Sequence, residues 1–270
     1  MSRLYTEHNL LQKELSCPAG SREEAGCKEW AKTRVLGHSI PRVDGYERVS
    51  GGAVYPSDVV LPAMLYAAVL HCPHPNARIS SIDTREAESS PGVKALLRKD
   101  SPAAGVKWPY AEDYQGPLLS EHCRYEGELV AAVAATSPDE AQDALRRITV
   151  DYEVLPFVAD EQRALQEDAP SVHSQGNLVK PVQTYERGDT DQGFARSPVL
   201  VERSFRTRAL LQTPIELHGC VAQWDGDSLT LWESTQGVYA VQDRVAQVMQ
   251  IPKSRVRVKG HYVGGGFGSK

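Results

Sequence analysis

The chain has 270 residues, of which 41% are hydrophobic and 24% charged, so a folded globular protein is expected and wholesale disorder is excluded. Its net charge of −5 provides no basic surface for a phosphate backbone, which excludes a nucleic-acid partner. No apolar run reaches the roughly 18 to 20 residues that cross a bilayer, so no membrane span is predicted.

The cysteines indicate a reducing compartment. Five of them are spread along the chain, at Cys17, Cys27, Cys72, Cys123 and Cys220. An odd number without a Cys-x-x-Cys pair does not suggest a disulfide framework, an iron–sulfur cluster or structural zinc. The first residues also lack the apolar core of a secretory signal. A cytoplasmic location is therefore expected.

The chain begins with a polar stretch, residues 1–34, which is predicted to be an extension. A β-rich block follows, with predicted strands at Met64–His71, Ala77–Asp83, Gly92–Leu97 and Glu128–Thr136. The first and last of these strands are apolar almost throughout, which predicts that both of their faces are covered.

The clearest helix signal comes next. Ser137, Pro138 and Glu140 form a capping box with proline in the favoured first position, so a helix is predicted from 138 to about 147. Ile148–Leu155 alternates between apolar and polar residues and is predicted to be a strand. A strand, a short helix and another strand form a compact α/β unit, in which the helix is expected to pack on a mixed sheet.

A less regular stretch, rich in turn residues, places a linker at 161–184. The block after it has predicted strands at Val199–Thr207, Cys220–Trp224, Ser228–Glu233 and Arg255–Lys259, and an amphipathic helix at 237–250. The Asp225-Gly226-Asp227 turn predicts a hairpin between the second and third of these strands.

A glycine-rich loop, Gly264–Gly268, follows the last predicted strand. Its glycines permit positive φ and close approach to a ligand, and consecutive N–H groups can bind an anion. A glycine-rich turn without a ligand is the alternative. A nucleotide P-loop requires Gly-Lys-Ser/Thr, whereas the order here is Gly268-Ser269-Lys270. A dinucleotide fingerprint requires a following helix and an acidic residue about 20 positions later, and both would lie after Lys270.

Six blocks of sequence are informative because of the order in which they follow one another along the chain. They are SIPRVDGYERVSGGAVYPSDVVLPAMLYAAVLHCPHPNARISSID, RYEGELVAAVAATSPDEAQDAL, DYEVLP, ERSFRTRALLQTPIELHGCVAQWDGD, WESTQGVY and VGGGFGSK. Together they resemble the molybdenum hydroxylase family of xanthine dehydrogenase and aldehyde oxidase, over roughly residues 35–270.

The resemblance implies an α+β fold in which a hammerhead-like α/β domain at 35–160 precedes the linker and a truncated start of the molybdopterin-binding domain at 185–270. It also implies the N-terminal part of a large subunit that hydroxylates a purine, N-heterocycle or aldehyde with water as the oxygen source, most like xanthine dehydrogenase. The alternative is a non-catalytic scaffold or interaction fragment without a bound cofactor.

The resemblance also implies cofactor-binding residues. Gln236 takes the position of a family glutamine beside the molybdenum, where a neutral amide donates a hydrogen bond to an oxo ligand. Phe267 and Gly268 take the positions of a Phe-Gly pair whose backbone N–H groups contact the metal's oxo group and the pterin, and Gly266 is a further expected cofactor-binding residue. The alternatives are that Gln236 is an ordinary residue at the start of a helix and that the Phe267 ring anchors the core.

Two further pairs are considered from their spacing and the resemblance. Glu216 and His218 lie where family members carry Glu-x-His near the substrate funnel, and a buried hydrogen-bonded pair is the alternative. His71 and His74 have a spacing that metal ligands can show, although the two prolines nearby indicate a loop.

The family's large subunit continues for several hundred residues beyond the glycine loop, and its general base is expected beyond Lys270. The 270-residue chain alone is therefore expected to be inactive. The molybdenum–molybdopterin cofactor is expected to need the remainder of the subunit, with [2Fe-2S] and FAD on partner chains; a homo-oligomer of that heteromer is a further candidate. The loop Gly264–Gly268 is expected to order only in the complete subunit, with Phe267 loosely held until then.

Overall fold

The computed structural model describes residues 39–111, 114–178, 180 and 182–270. The predicted extension at 1–34, with Cys17 and Cys27, lies outside the described residues. The chain divides into two compact units, residues 1–54 and 55–270. The first unit contains helix α1, Gly45–Ser50, which ends at Gly51 with φ of 76°. Asp44 precedes this helix and accepts a hydrogen bond from Arg48 at 2.8 Å.

Of the elements that the structure describes, the second unit contains all the strands and the helices other than α1. Its strands are β1 Tyr66–His71, β2 Ala77–Asp83, β3 Val93–Leu97, β4 Lys107–Ala111, β5 Tyr114–Pro117, β6 His122–Cys123, β7 Leu129–Ala135, β8 Thr149–Val154, β9 Cys220–Asp225, β10 Ser228–Glu233 and β11 Val256–Lys259. Its α-helices are α2 Arg85–Glu88, α3 Pro138–Arg146, α4 Thr190–Arg196 and α5 Val238–Met249. Short 3-10 helices occur at Pro56–Asp58, Pro102–Gly105, Arg163–Leu165 and Lys253–Arg255.

The strands before residue 156 form two three-stranded sheets, ordered β1-β7-β3 and β6-β2-β8, and a β4-β5 hairpin. All of these pairings are antiparallel. The expectation of a mixed sheet is therefore wrong. The reason is that α3 carries the chain from β7 in one sheet to β8 in the other, so the strand–helix–strand unit does not return to a parallel neighbour.

The central strand β7 and helix α3 form the main core. Ala131, Val133 and Ala135 point from one face of β7 towards Ala141 and Ala144 of α3, and all five are buried. Small alanines on both surfaces allow close packing of the helix on the sheet. The prediction that β1 is covered on both faces is wrong, because β1 is an edge strand with only Ala68 buried.

The capping box begins α3 as predicted. The Ser137 hydroxyl accepts a hydrogen bond from the Glu140 N–H at 3.3 Å and donates to the Glu140 carboxylate at 3.0 Å. Pro138 occupies the first turn, where its missing N–H costs nothing. Local sequence therefore starts this helix, and burial of its alanine face holds it in place.

The strands after residue 197 form a separate sheet, ordered β11-β10-β9. The β9–β10 hairpin turns at Gly226, whose φ of 54° suits the first position of a two-residue hairpin loop. Helix α5 then connects β10 to β11, and these two strands pair in parallel, with Leu229 opposite Val256. The result is a β–α–β crossover within a mixed sheet.

The predicted strand at Val199–Thr207 is not formed. The segment has no regular structure, and its large apolar side chains are exposed, with Phe205 at 91%. The alternation of its residues is typical of a strand, but a strand requires a neighbouring backbone with which to hydrogen-bond. No described strand pairs with it. In the part of the chain that the structure describes, no helix is long and apolar enough to cross a membrane.

Candidate cofactor site

The β–α–β crossover determines where the site lies. The Ser234-Thr235-Gln236 triplet follows the carboxyl end of β10, and the glycine loop follows the carboxyl end of β11 shortly after. Because β10 and β11 are parallel, both segments leave the same edge of the sheet. Ligands of α/β sheets bind at this edge. The topology therefore brings together two segments that are separated by a twelve-residue helix.

A hydrogen bond joins the two segments. The Gly268 N–H donates to Gln236 Oε1 at 2.9 Å. Because an N–H can only donate, this bond identifies the oxygen end of the amide and leaves Nε2 as the donor. Among the described residues, Nε2 has no partner. The same bond uses the Gly268 N–H within the chain, so in this conformation that group does not donate to a ligand.

Gly266 permits this approach. A Cβ placed on Gly266 would lie 2.5 Å from Gln236 Oε1 and 2.9 Å from its Cγ, which is closer than side-chain atoms can pack. The Gln236 side chain therefore lies against the bare backbone of the loop. Gly266 itself is buried, yet its N–H has no hydrogen-bond partner among the described residues.

The loop has a left-handed backbone at several positions. Gly265, Phe267 and Gly268 have φ of 99°, 52° and 92°. Phe267 is the one non-glycine among them, and an L-residue there is strained by roughly 1–2 kcal/mol. Its ring lies over Gly265, where a Cβ would approach it to 3.2 Å, and 74% of the residue is exposed. The alternative that the Phe267 ring anchors the core is wrong.

Glu216 reaches the loop from the segment before β9. Its Oε2 accepts hydrogen bonds from the Gly264 N–H at 2.7 Å, the Ser234 hydroxyl at 2.6 Å and Lys270 Nζ at 2.8 Å. Its Oε1 is buried and has no hydrogen-bond partner among the described residues. The expectation that the loop orders only in the complete subunit assumed that this chain offers it no contacts, and that assumption is wrong. The exposure of Phe267 agrees with a loosely held ring.

The ionisation of Glu216 follows from these contacts. Burial opposes its charge, but the hydrogen bonds from Lys270, Ser234 and Gly264 outweigh burial and lower the pKa of the carboxyl. Glu216 and His218 do not hydrogen-bond to each other, since Glu216 pairs with Lys270 and His218 is exposed. The alternative of a buried Glu216–His218 pair is therefore not formed.

Lys270 and Ser234 are site residues that the sequence pattern did not reveal. Both lie beside residues that it selected, but neither carries a local signal for its role. Their common partner, Glu216, is 54 residues from Lys270 and 18 from Ser234.

The histidines of the first β-rich block have structural contacts. His71 Nδ1 lies 2.7 Å from the Gly127 carbonyl oxygen, and the His74 ring packs edge-on against Tyr152. Within the described ranges, no three His, Cys, Asp or Glu residues are grouped so that they could hold a metal ion.

Comparison with known proteins identifies the family to which the chain belongs. Residues 50–156 match the aldehyde oxidase and xanthine dehydrogenase a/b hammerhead domain, and residues 172–270 match the molybdopterin cofactor-binding domain. The chain belongs to the xanthine dehydrogenase and aldehyde oxidase family of molybdenum hydroxylases. The α+β fold of this molybdenum hydroxylase chain, with a hammerhead domain before the start of a molybdopterin-binding domain, is thus confirmed.

Molybdenum hydroxylases with similar sequences come from several bacteria. The nicotinate dehydrogenase large molybdopterin subunit of Eubacterium barkeri is 35% identical over 238 residues, which are 88% of this chain and 56% of that protein. The xanthine dehydrogenase molybdenum-binding subunit of Escherichia coli is 33% identical over 240 residues, covering 85% of this chain and 32% of that protein. The chain thus spans about half or a third of these relatives.

Solved structures of molybdenum hydroxylases have the same fold. Quinoline 2-oxidoreductase from Pseudomonas putida 86 superposes with a TM-score of 0.78 and 33% identity, over 88% of this chain and 31% of that one. Reconstituted CO dehydrogenase from Oligotropha carboxidovorans also gives 0.78, with 29% identity, over 95% of this chain and 33% of that one.

Proposed function

We propose that this chain is the N-terminal part of the large subunit of a molybdenum-cofactor-dependent oxidoreductase, most like xanthine dehydrogenase. The proposed reaction is hydroxylation of a purine, N-heterocycle or aldehyde, with water as the oxygen source. One observation carries the proposal. Gln236 and the glycine loop meet at the carboxyl ends of β10 and β11, joined by the hydrogen bond from Gly268.

The donors at this edge of the sheet fit an oxygen-rich, anionic cofactor. Gln236 Nε2 and the N–H groups of Gly265, Gly266 and Phe267 have no partners among the described residues. They are neutral and lie close together in space where Gln236 meets the loop, which suits a group whose charge changes during a redox reaction. Gly268 has open space beside its α-carbon, so a ligand can approach the backbone there.

The residues present have separate proposed roles in this site. When bound, the molybdenum cofactor supplies two-electron redox chemistry at the substrate carbon. Gln236 Nε2 donates a hydrogen bond to an acceptor of the cofactor, and the N–H groups of Gly266 and Phe267 orient it. Gly268 uses its own N–H to hold the Gln236 amide in the donating orientation. No residue of this chain is assigned the role of general base.

The named relatives support the proposed substrate class. Nicotinate, xanthine and quinoline, which appear in the names of similar proteins, are all N-heterocycles. Glu216 and His218 were candidates for the substrate pocket. Of these, His218 is exposed and available for such a role, whereas Glu216 Oε2 is occupied by contacts to the loop.

The domain limits, partners and location are proposals of the same kind. We assign 35–160 to the hammerhead domain, 161–184 to a linker and 185–270 to the start of the molybdopterin-binding domain. The proposed partners are the remainder of the molybdopterin subunit and subunits carrying FAD and [2Fe-2S], in the cytoplasm. The isolated 270-residue chain is proposed to be inactive, so sustained molybdenum-dependent turnover of xanthine, nicotinate or an aldehyde by it would contradict this.

The role of Gln236 is tested in the full-length protein, purified with its partners. Gln236→Ala removes a donor in a site of developing charge, and such losses commonly lower kcat about 10²–10³-fold. Gln236→Glu should be similarly slow, although it keeps an acceptor for the Gly268 N–H. Gln247→Ala, at an exposed position on α5, is the matched control and should be as active as the parent.

The metal and pterin contents of these preparations decide between the proposed functions. Molybdenum and pterin in the parent, and near-normal amounts in the Gln236 variants, would support the enzyme. Full activity in Gln236→Ala would return Gln236 to the role of an ordinary residue at the start of a helix. A parent protein without molybdenum and pterin would favour the non-catalytic scaffold.

A further inference from the structure

The Glu216 carboxylate joins three parts of the chain. Glu216 lies before β9, Ser234 lies just after β10, Gly264 begins the glycine loop, and Lys270 lies two residues after the loop ends. All three partners donate to the same oxygen, Oε2, at 2.6–2.8 Å. The Glu216 N–H also donates to the Gly264 carbonyl oxygen at 3.3 Å. A single residue therefore contacts the chain on both sides of Gly265–Gly268.

This contact requires the absence of a side chain at Gly264. A Cβ on Gly264 would lie 2.4 Å from the Cβ of Glu216, so only glycine allows the two backbones to approach this closely. Gly264 does not have a positive φ. The reason for glycine at this position is therefore the proximity of Glu216, which is different from the reason at Gly265 and Gly268.

The Glu216–Lys270 ion pair is partly buried. The Lys270 side chain is 0% exposed and the Glu216 side chain 12%. Removing one member of a buried pair leaves an uncompensated charge in a poorly solvated place, which is strongly destabilising, whereas neutral replacement of both members is often tolerated. The pair therefore constrains the position of the loop more than an exposed ion pair would.

We propose that Glu216 is a positioning residue. It holds the glycine loop in place at the carboxyl ends of β10 and β11, with Lys270 as its counter-ion. Glu216 acts on the cofactor only through the loop, by fixing Gly264 and Lys270 on either side of Phe267 and Gly268. What the loop binds rests on the proposed function, but the anchoring of the loop does not.

The experiment measures amide hydrogen exchange in the peptide spanning residues 261–270 of the full-length protein, prepared without cofactor. Glu216→Gln leaves the Lys270 ammonium buried without a counter-charge, and Lys270→Met leaves the carboxylate in the same state. Each substitution should raise exchange in this peptide roughly 10- to 100-fold, the usual range for losing a buried hydrogen bond to a charged group. The double variant is neutral and should exchange more slowly than either single variant.

Two controls separate anchoring from general damage. Asp227→Asn removes a carboxylate from an exposed ion pair with Arg255 at 3.0 Å, and it should leave exchange in residues 261–270 unchanged. Ser234→Ala removes one of the three donors to Glu216 and should raise exchange by less than Glu216→Gln. It also provides a readout if Glu216→Gln fails to fold.

Unchanged exchange in Glu216→Gln and Lys270→Met, or effects that simply add in the double variant, would overturn the proposal. If Glu216→Gln does not fold, unchanged exchange in Ser234→Ala overturns it. Molybdenum and pterin contents of the loaded proteins are measured separately. If the parent holds neither, the proposed function fails, while the exchange result still decides whether Glu216 anchors the loop.

Discussion

The two helix-on-sheet regions of the second unit differ in what holds them together. Helix α3 has a Ser137 side-chain cap and buries three residues, Ala141, Ala144 and Leu145, against β1 and β7. Helix α5 is longer, but Gly237, the residue before it, provides no side-chain cap, and the helix buries Ala246 alone. The apolar residues of the segment before β9 are likewise exposed, as Val201 and Phe205 show.

The comparison indicates that order has different sources in the two regions. Around β7 it comes from apolar burial, which is non-directional. Around the glycine loop it comes from a few directional polar contacts, chiefly those of Gln236 and Glu216. A site built in the second way positions individual N–H groups for a ligand, which apolar packing alone does not do.

The largest expected difference in stability between the regions appears when the same substitution, valine to alanine, is made in each. Val133 is 1% exposed and Val201 is 76% exposed. Val133→Ala removes buried methyl groups and leaves a cavity, so the free energy of unfolding should fall by about 1.5–3 kcal/mol. Val201→Ala should change it by less than about 0.5 kcal/mol. Urea unfolding measures both, and equal effects would remove the contrast.

A smaller effect is expected at the helix starts. Ser137→Ala removes the cap of α3 and should lower the free energy of unfolding by about 1 kcal/mol. Before α5, Gly237→Ser supplies a hydroxyl at a position where no side chain caps the helix. This substitution should raise the free energy of unfolding by a few tenths of a kcal/mol. Thermal unfolding of both variants tests this, and a destabilised Gly237→Ser would show that another constraint acts there.

The smallest effect is expected at Glu233, which ends β10 opposite Cys220. Burial raises the pKa of the Glu233 carboxyl above its ordinary 4.5, although a hydrogen bond with Cys220 and the charge of His218 oppose this. A raised pKa means that ionisation disfavours the folded state, so stability falls as the pH rises above about 4.5 through the folded value. Glu233→Gln should therefore raise the Tm slightly at about pH 7.

This gain should disappear below pH 4.5, where Glu233 is protonated in both states. Asp227→Asn, at an exposed position, is the matched carboxylate-to-amide control and is measured over the same pH range. A gain for Glu233→Gln that is the same at all pH values would show that packing, and not ionisation, is responsible.

Sequence alone was sufficient where the signal is local. The capping box predicted the start of α3, and the Asp-Gly turn predicted the β9–β10 hairpin. A cap acts over three residues and a hairpin turn over four, so neighbouring side chains contain the information. The order of the motifs was likewise sufficient for the family, with Gln236 and the loop Gly264–Gly268 as candidates.

The tertiary structure decided whatever depends on a distant partner. The alternating segment at Val199–Thr207 has the composition of a strand, but no described strand pairs with it. The sheets around β7 are antiparallel because α3 leads into a different sheet. Glu216 was a candidate for the substrate pocket, and only the fold showed its contact with Lys270, 54 residues away. Sequence patterns specify which surfaces are apolar or charged, whereas the partner of each surface is chosen by long-range packing.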